Sequence, residues 1–209
     1  LTYGGSLFPS DHPVDQVYKQ LNVSRDDGEN SESFLDKLSR VPLRYEPGTS
    51  WEYSLATDVC GCLVELISGQ TLGDFLEERL FSPLGMNDTG FDVPADQVDR
   101  FAANYGRTAK KTLRLMDDPE TSIYTQPRSF HSGGGGLLST TADYAKFCEM
   151  LRSGGSVNGK QFISRRTLQL MTRNHLPDGV DLSAVAMGSF SETAYDGVGF
   201  GLGFATTLD

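Results

Sequence analysis

Tyr53 ends the stretch Pro47-Gly48-Thr49-Ser50-Trp51-Glu52-Tyr53 and is followed by a segment whose apolar residues fall at helical spacing. A phenol just ahead of a helix lies near the positive end of the helix dipole and its unpaired N–H groups, a setting that favours an anion. In water a phenol titrates near ~10. Working as a base at neutral pH therefore requires a neighbouring cation, typically a lysine. Taken alone, such a tyrosine is more often a packed aromatic with a hydrogen-bonded hydroxyl.

Other chemical groupings are weaker. Gly133 to Gly136 offers backbone N–H groups to an anion, but Leu137-Leu138 stands where a phosphate loop carries Lys-Ser/Thr. The alternating strand–helix context of a dinucleotide site is also absent, so the glycines read as a tight turn or a close backbone approach ahead of a capped helix. No Gly-x-Ser-x-Gly elbow occurs. No serine is followed three residues later by lysine, and Thr108 with Lys111 is the nearest approach. His12, His131 and His175 are far apart, with no Cys/His ligand spacing, so no metal or cofactor site is expected. Cys60 and Cys62 point about 200° apart on a helix. With Cys148 they make an odd set that reads as small buried hydrophobes rather than a disulfide framework.

The elements that must position Tyr53 are mostly helical. Asp11 or His12 with Pro13 opens a short helix bearing Val14, Val17, Tyr18 and Leu21, and Ser31 caps a second with Phe34, Leu35 and Leu38. Residues 22–30 between them read as a polar loop. Ser54 caps the clearest helix, with Leu55, Val59, Cys62, Leu63, Leu66 and Ile67 as its apolar stripe and Gly69 closing it. Thr71 with Asp74 starts the next, which Pro83 stops. Residues 87–130 are irregular, with a short strand over Phe101 to Tyr105 and a hairpin tip at Lys110-Lys111. Ser139 or Thr140 caps a helix with Tyr144, Phe147, Cys148 and Leu151 on one face; Gly154-Gly155 ends it and Ser164 caps another. The Gly-rich, aromatic last thirty residues suit β-structure, with Gly201 to Asp209 as a strand lacking a partner.

The 209 residues carry a net charge of −10, with 38% apolar and 22% charged residues. That is neither a disordered nor a collagen-like composition. The acidic balance disfavours binding to nucleic acid, and no apolar run reaches the ~18–20 residues of a membrane span. The absence of an initiator Met or a signal peptide at Leu1-Thr2-Tyr3-Gly4-Gly5 suggests a chain that begins mid-protein.

Tyr45 to Ser54, continued through Gly61 and Glu65 to Ser68-Gly69, resembles the second-motif region of the serine β-lactamase and penicillin-binding-protein superfamily. Class C β-lactamases and family VIII esterases are the nearest in character. Phe81-Ser82-Pro83-Leu84-Gly85-Met86-Asn87-Asp88-Thr89-Gly90-Phe91 resembles a further stretch of that family, and so does Gly133-Gly134-Gly135-Gly136-Leu137-Leu138-Ser139-Thr140-Thr141-Ala142-Asp143-Tyr144. Leu1-Thr2-Tyr3-Gly4 is similar to the segment after its His-Thr-Ser-Gly.

The resemblance implies an α+β fold, predominantly α: the central helical region of the β-lactamase/transpeptidase-like fold with part of the returning antiparallel sheet. Residues 1–209 are expected to be one fragment of that domain, without its Ser-x-x-Lys region and its Lys-Thr-Gly or His-x-Gly region. His131-Ser132-Gly133 has the letters of the latter but precedes a capped helix and is not assigned that role. The implied chemistry is an acyl-enzyme on a small ester or amide. A serine attacks, a lysine and the motif tyrosine move the proton, and backbone N–H groups hold the oxyanion. Tyr53 matches that tyrosine, with Trp51 and Leu55 as substrate-wall residues. Leu55 stands where β-lactamases carry the Asn of Tyr-x-Asn, which tilts the expectation from lactams towards esters. A non-catalytic homologue and a D-amino-acid peptidase are the alternatives.

Overall fold

The computed structural model describes residues 11–23, 29–187 and 195–208. The Leu1 to Gly4 match and part of the 22–30 loop lie outside them. Helices α1 (Pro13–Gln20), α2 (Ser31–Ser39) and α3 (Ala56–Ser68) build the first core. There Val14, Tyr18, Phe34, Leu38, Leu55 and Cys62 meet, closed by Phe130 from a distant loop whose ring lies 5.1 Å from that of Phe34. His12 caps α1 through Nδ1, which accepts the Val14 N–H. Asn30, rather than Ser31, caps α2 in a reciprocal box with Ser33.

Three expectations about α3 and the helices after it change. Ser54 is not the cap: α3 starts after Leu55, and the Ser54 hydroxyl accepts the Ala56 N–H at 3.2 Å. The α3 stripe is only half used. Leu55 and Cys62 are buried, whereas Leu66 and Ile67 are 74% and 83% exposed, because α1, α2 and the 130–134 loop cover only one side of the helix. Pro83 does not stop its helix. α4 (Leu72–Leu76) passes through a π-helical stretch, Glu77–Phe81, into the single turn α5 (Ser82–Leu84), with Pro83 as the second residue of that turn. Gly85, at φ +69°, ends the run.

The irregular middle holds a 3₁₀ turn at Ala95–Arg100 and an antiparallel hairpin of β2 (Asn104–Arg107) with β3 (Leu113–Asp117). Lys111, at φ +62°, lies at the hairpin tip. Thr140 caps α6 (Thr141–Arg152). The expected apolar face of α6 is turned: Met150 and Asp143 are buried and Tyr144 and Cys148 are exposed. Cys60 is exposed as well, so among the three thiols only Cys62 is a core residue.

After the small β4 (Ser156–Val157) and β5 (Lys160–Gln161) hairpin comes α7 (Arg165–Met171), capped by Ser164 as expected. α8 (Leu182–Val185) then leads into β6 (Ala186–Met187). β7 (Val198–Phe200) and β8 (Ala205–Thr207) pair antiparallel, so the last strand has a partner after all. β6 pairs in parallel with β1 (Trp51–Glu52). A second core of Leu176, Leu182 and Ala186, flanked by Trp51, Val198 and Phe200, forms around this pair. The result is α+β, predominantly helical, with small sheets. No single helix among the described residues is long and apolar enough to cross a membrane.

Candidate active site

Pro47-Gly48 reverses the chain in a tight turn closed by the Thr49 N–H donating to the Glu46 carbonyl at 3.2 Å. Gly48 lies at φ +83°, the left-handed value that a type II turn places after its proline. From there the chain crosses between the two cores. Trp51 packs its ring edge-on against Phe200, with centroids 5.0 Å apart. Four residues on, Leu55 is buried in the first core at 3% exposure. Tyr53 lies between them and is 41% exposed. The three predicted site residues are thus neighbours in sequence with different fates. Tyr53 reaches solvent. Trp51 is half-buried and lines a cleft of about 350 Å³ together with Tyr45, Pro47, Ser50, Glu52 and Ser54. The Leu55 side chain faces the core, not a ligand-accessible wall.

Glu52 is enclosed with Arg44 and Asp15, whose carboxylates lie 3.4 and 3.6 Å from the guanidinium. Burial raises the Glu52 carboxyl above its ordinary value; Arg44 pulls it down and Asp15 pushes it up, and burial prevails. One of its oxygens is buried without a hydrogen-bond partner.

The first turn of α3 meets the glycine loop. Asp58, the third residue of α3, is fully buried. One of its oxygens accepts hydrogen bonds from the Ser132 hydroxyl and, at 3.2 Å, from the Gly134 N–H. The loop lies flush on the helix: a Cβ on Gly133 would overlap the Thr57 carbonyl oxygen, and one on Gly134 would lie 2.7 Å from the second Asp58 oxygen. The close backbone approach expected of the glycines is therefore present. Next to it, His131 stacks on Phe91 with ring centroids 4.4 Å apart, and its Nδ1 accepts the Gly73 N–H at the start of α4. Glu65 holds the same helix start by accepting the Leu72 N–H and the Ser31 hydroxyl.

Sequence reasoning missed Asp58, Ser132 and the Arg44 cluster. A signal for Asp58 existed: it follows Leu55 by three and precedes Cys62 by four, which puts a carboxylate on the apolar face. Its partner, 74 residues away, has no local signature. Among the described residues no group of three or more His, Cys, Asp or Glu could hold a metal ion.

Tyr53 is thus half-exposed at the head of α3, whose first turn is backed by the glycine loop. The chain belongs to the beta-lactamase family, whose profile, "Beta-lactamase", matches residues 2–207. It is 34% identical over 211 residues to Protein Rv1367c of Mycobacterium tuberculosis, covering 100% of this chain and 49% of that protein. It is 32% identical over 156 residues to Esterase EstB of Burkholderia gladioli, covering 66% of this chain and 39% of the esterase. Among solved structures it superposes on EstCE1, "a hydrolase with promiscuous acyltransferase activity", with a TM-score of 0.76 and 28% identity over 100% of this chain and 54% of that one. The chain spans about half the length, or less, of these relatives.

Proposed function

We propose that this chain is the central part of a serine hydrolase that works through an acyl-enzyme and favours esters over lactams. The observation that carries this reading is Tyr53 itself, exposed at the head of α3 at the position that matches the family's motif tyrosine. The similarity to an esterase and to a hydrolase with acyltransferase activity supports the same class. The preference for esters rests on sequence: Leu55 stands where the lactamase motif carries an asparagine, so the chain has no amide at that position.

In this mechanism the nucleophilic serine and the lysine beside it come from outside these 209 residues, which contain no Ser-x-x-Lys. That lysine supplies the cation that a phenol needs to serve as a base at neutral pH. Tyr53 takes the serine proton as the serine oxygen bonds to the ester carbonyl carbon, then hands it to the departing alkoxide. Water repeats the sequence and frees the acid. The chain by itself is inactive in this reading and takes no label from a fluorophosphonate.

In the full-length protein, Tyr53→Phe is expected to lower kcat on p-nitrophenyl esters by ~10²–10⁴-fold, the usual range for a lost general acid–base. Near-normal turnover would remove Tyr53 from the mechanism. Nitrocefin and D-Ala-type amides assayed alongside separate an esterase from a lactamase and from a D-amino-acid peptidase. Hydrolysis of none of the three would favour the non-catalytic homologue.

A further inference from the structure

Asp58 is a fully buried carboxylate in the first turn of α3, five residues after Tyr53. A buried charge is costly unless it is well supplied with donors, and both donors seen here come from one loop, Ser132 and Gly134. Its second oxygen has no hydrogen-bond partner and lies against Gly134, where even a methyl group would sit 2.7 Å away. An apolar residue of similar size would fill this space without that cost. What the carboxylate adds is direction: one oxygen holds two donors at once, which fixes where the helix starts relative to the loop. Tyr53 is tied to this helix start through its neighbours, since the Ser54 hydroxyl accepts the Ala56 N–H and Leu55 is buried in the core. The other end of the loop is held by His131, which bonds Gly73 and stacks on Phe91.

We propose that Asp58 is a positioning residue: by bonding Ser132 and Gly134 together it sets the first turn of α3, and with it Tyr53, against the glycine loop. The inference rests on the reading of Tyr53 as the proton carrier. Asp58 itself touches no substrate; it acts through the helix start.

Two measurements on the full-length protein test it. The first compares kcat and KM on a p-nitrophenyl ester for Ser132→Ala, Asp58→Ala and Asp58→Asn. A displaced phenol still admits substrate but transfers the proton badly. KM should therefore change little while kcat falls, by up to ~10²-fold for Asp58→Ala, the scale of loss from a misplacement of about an ångström. Asp58→Asn keeps the oxygen that accepts both donors and should recover most of kcat. The second is amide hydrogen exchange: Ser132→Ala should speed exchange in residues 56–60 and 133–136 together and leave α6 unchanged. Unchanged kcat in a folded Ser132→Ala and Asp58→Ala, or exchange that rises in only one of the two segments, overturns the proposal. If Asp58→Ala does not fold, Ser132→Ala decides. Tyr53→Phe run in parallel separates the two ideas. Normal turnover there defeats the mechanism, whereas a Tyr53→Phe loss with silent Asp58 and Ser132 variants defeats this inference alone.

Discussion

An acid at the third position of a helix recurs in α3, α4 and α6, as Asp58, Asp74 and Asp143, where the helix dipole favours it. Asp74 is exposed and only takes the hydroxyl of its own cap, Thr71. The two buried ones reach out of their helices. Asp143 accepts the Asp88 N–H at 2.7 Å and the Thr89 hydroxyl at 3.1 Å, and pairs with Lys146 at 2.8 Å. Burial alone would raise the Asp143 carboxyl, but Lys146, the Asp88 amide and Thr89 together hold it below the ordinary aspartate range. A carboxyl whose folded pKa lies below its unfolded value, ~3.9, stabilises fully above that value. The contribution disappears as pH falls from about 4 through the lower folded value. Asp143→Asn should therefore cost about 1–3 kcal/mol at pH 7, the range for weakening hydrogen bonds to a buried group. Its deficit against the unaltered protein should shrink below pH 4. Urea midpoints at pH 7 and pH 3 check both parts, and a deficit that stays constant with pH would show that the charge is not what Asp143 contributes.

At the scale of elements, what was legible in the sequence was what is decided within a few residues. Thr71 and Ser164 cap the helices they were expected to cap, and of the two candidates for α6, Ser139 and Thr140, it is Thr140 that does so, since a side-chain oxygen and an N–H two or three residues on need no help from the rest of the chain. Pro47-Gly48 turns, and Gly69 ends α3 at φ +70°. The exposure of Leu66 and Ile67 was not legible, because periodicity shows which residues share a face and not what covers it. Nor was the parallel pairing of β1 with β6, 135 residues apart, or the seating of the Ser132–Gly134 loop on α3. That seating depends on Gly133, whose α-carbon faces the Thr57 carbonyl and the Gly61 backbone. Both neighbours are main chain and cannot swing aside as a side-chain tip would. Gly133→Ala must therefore push the loop off the helix, at a cost of ~1–3 kcal/mol or more for overpacking. The expected result is a lower urea midpoint together with faster amide exchange in residues 56–60. An alanine variant as stable as the original would mean that the loop yields at no cost, and α3 would then not depend on it.

At the scale of the whole molecule, the site lies on the short path that joins two cores. The first, around Phe34 and Cys62, is built from helices close in sequence; the second, around Leu182 and Ala186, comes mostly from the last forty residues. Between them run β1 paired with β6 and the edge-on contact of Trp51 with Phe200. Tyr53 follows directly, two residues beyond the indole that Phe200 of β7 packs against. Trp51 is the only tryptophan in the 209 residues, and its ring faces the junction, which makes its emission a reporter of docking. Phe200→Ala removes the ring that Trp51 packs against. Truncating a buried Phe costs ~3–5 kcal/mol; for the half-buried Phe200 the lower end of that range is the ceiling. Trp51 emission, isolated as the difference from a Trp51→Phe background, should move to longer wavelength as the indole meets water. If the cores are coupled through this contact, denaturation followed by Trp51 emission and by far-ultraviolet circular dichroism should coincide in the original protein. In Phe200→Ala the emission transition should come first, because the junction opens before the helices melt. Coincident transitions in the variant, with unshifted emission, would mean that the β1–β6 pairing alone joins the cores and that Trp51 only covers it.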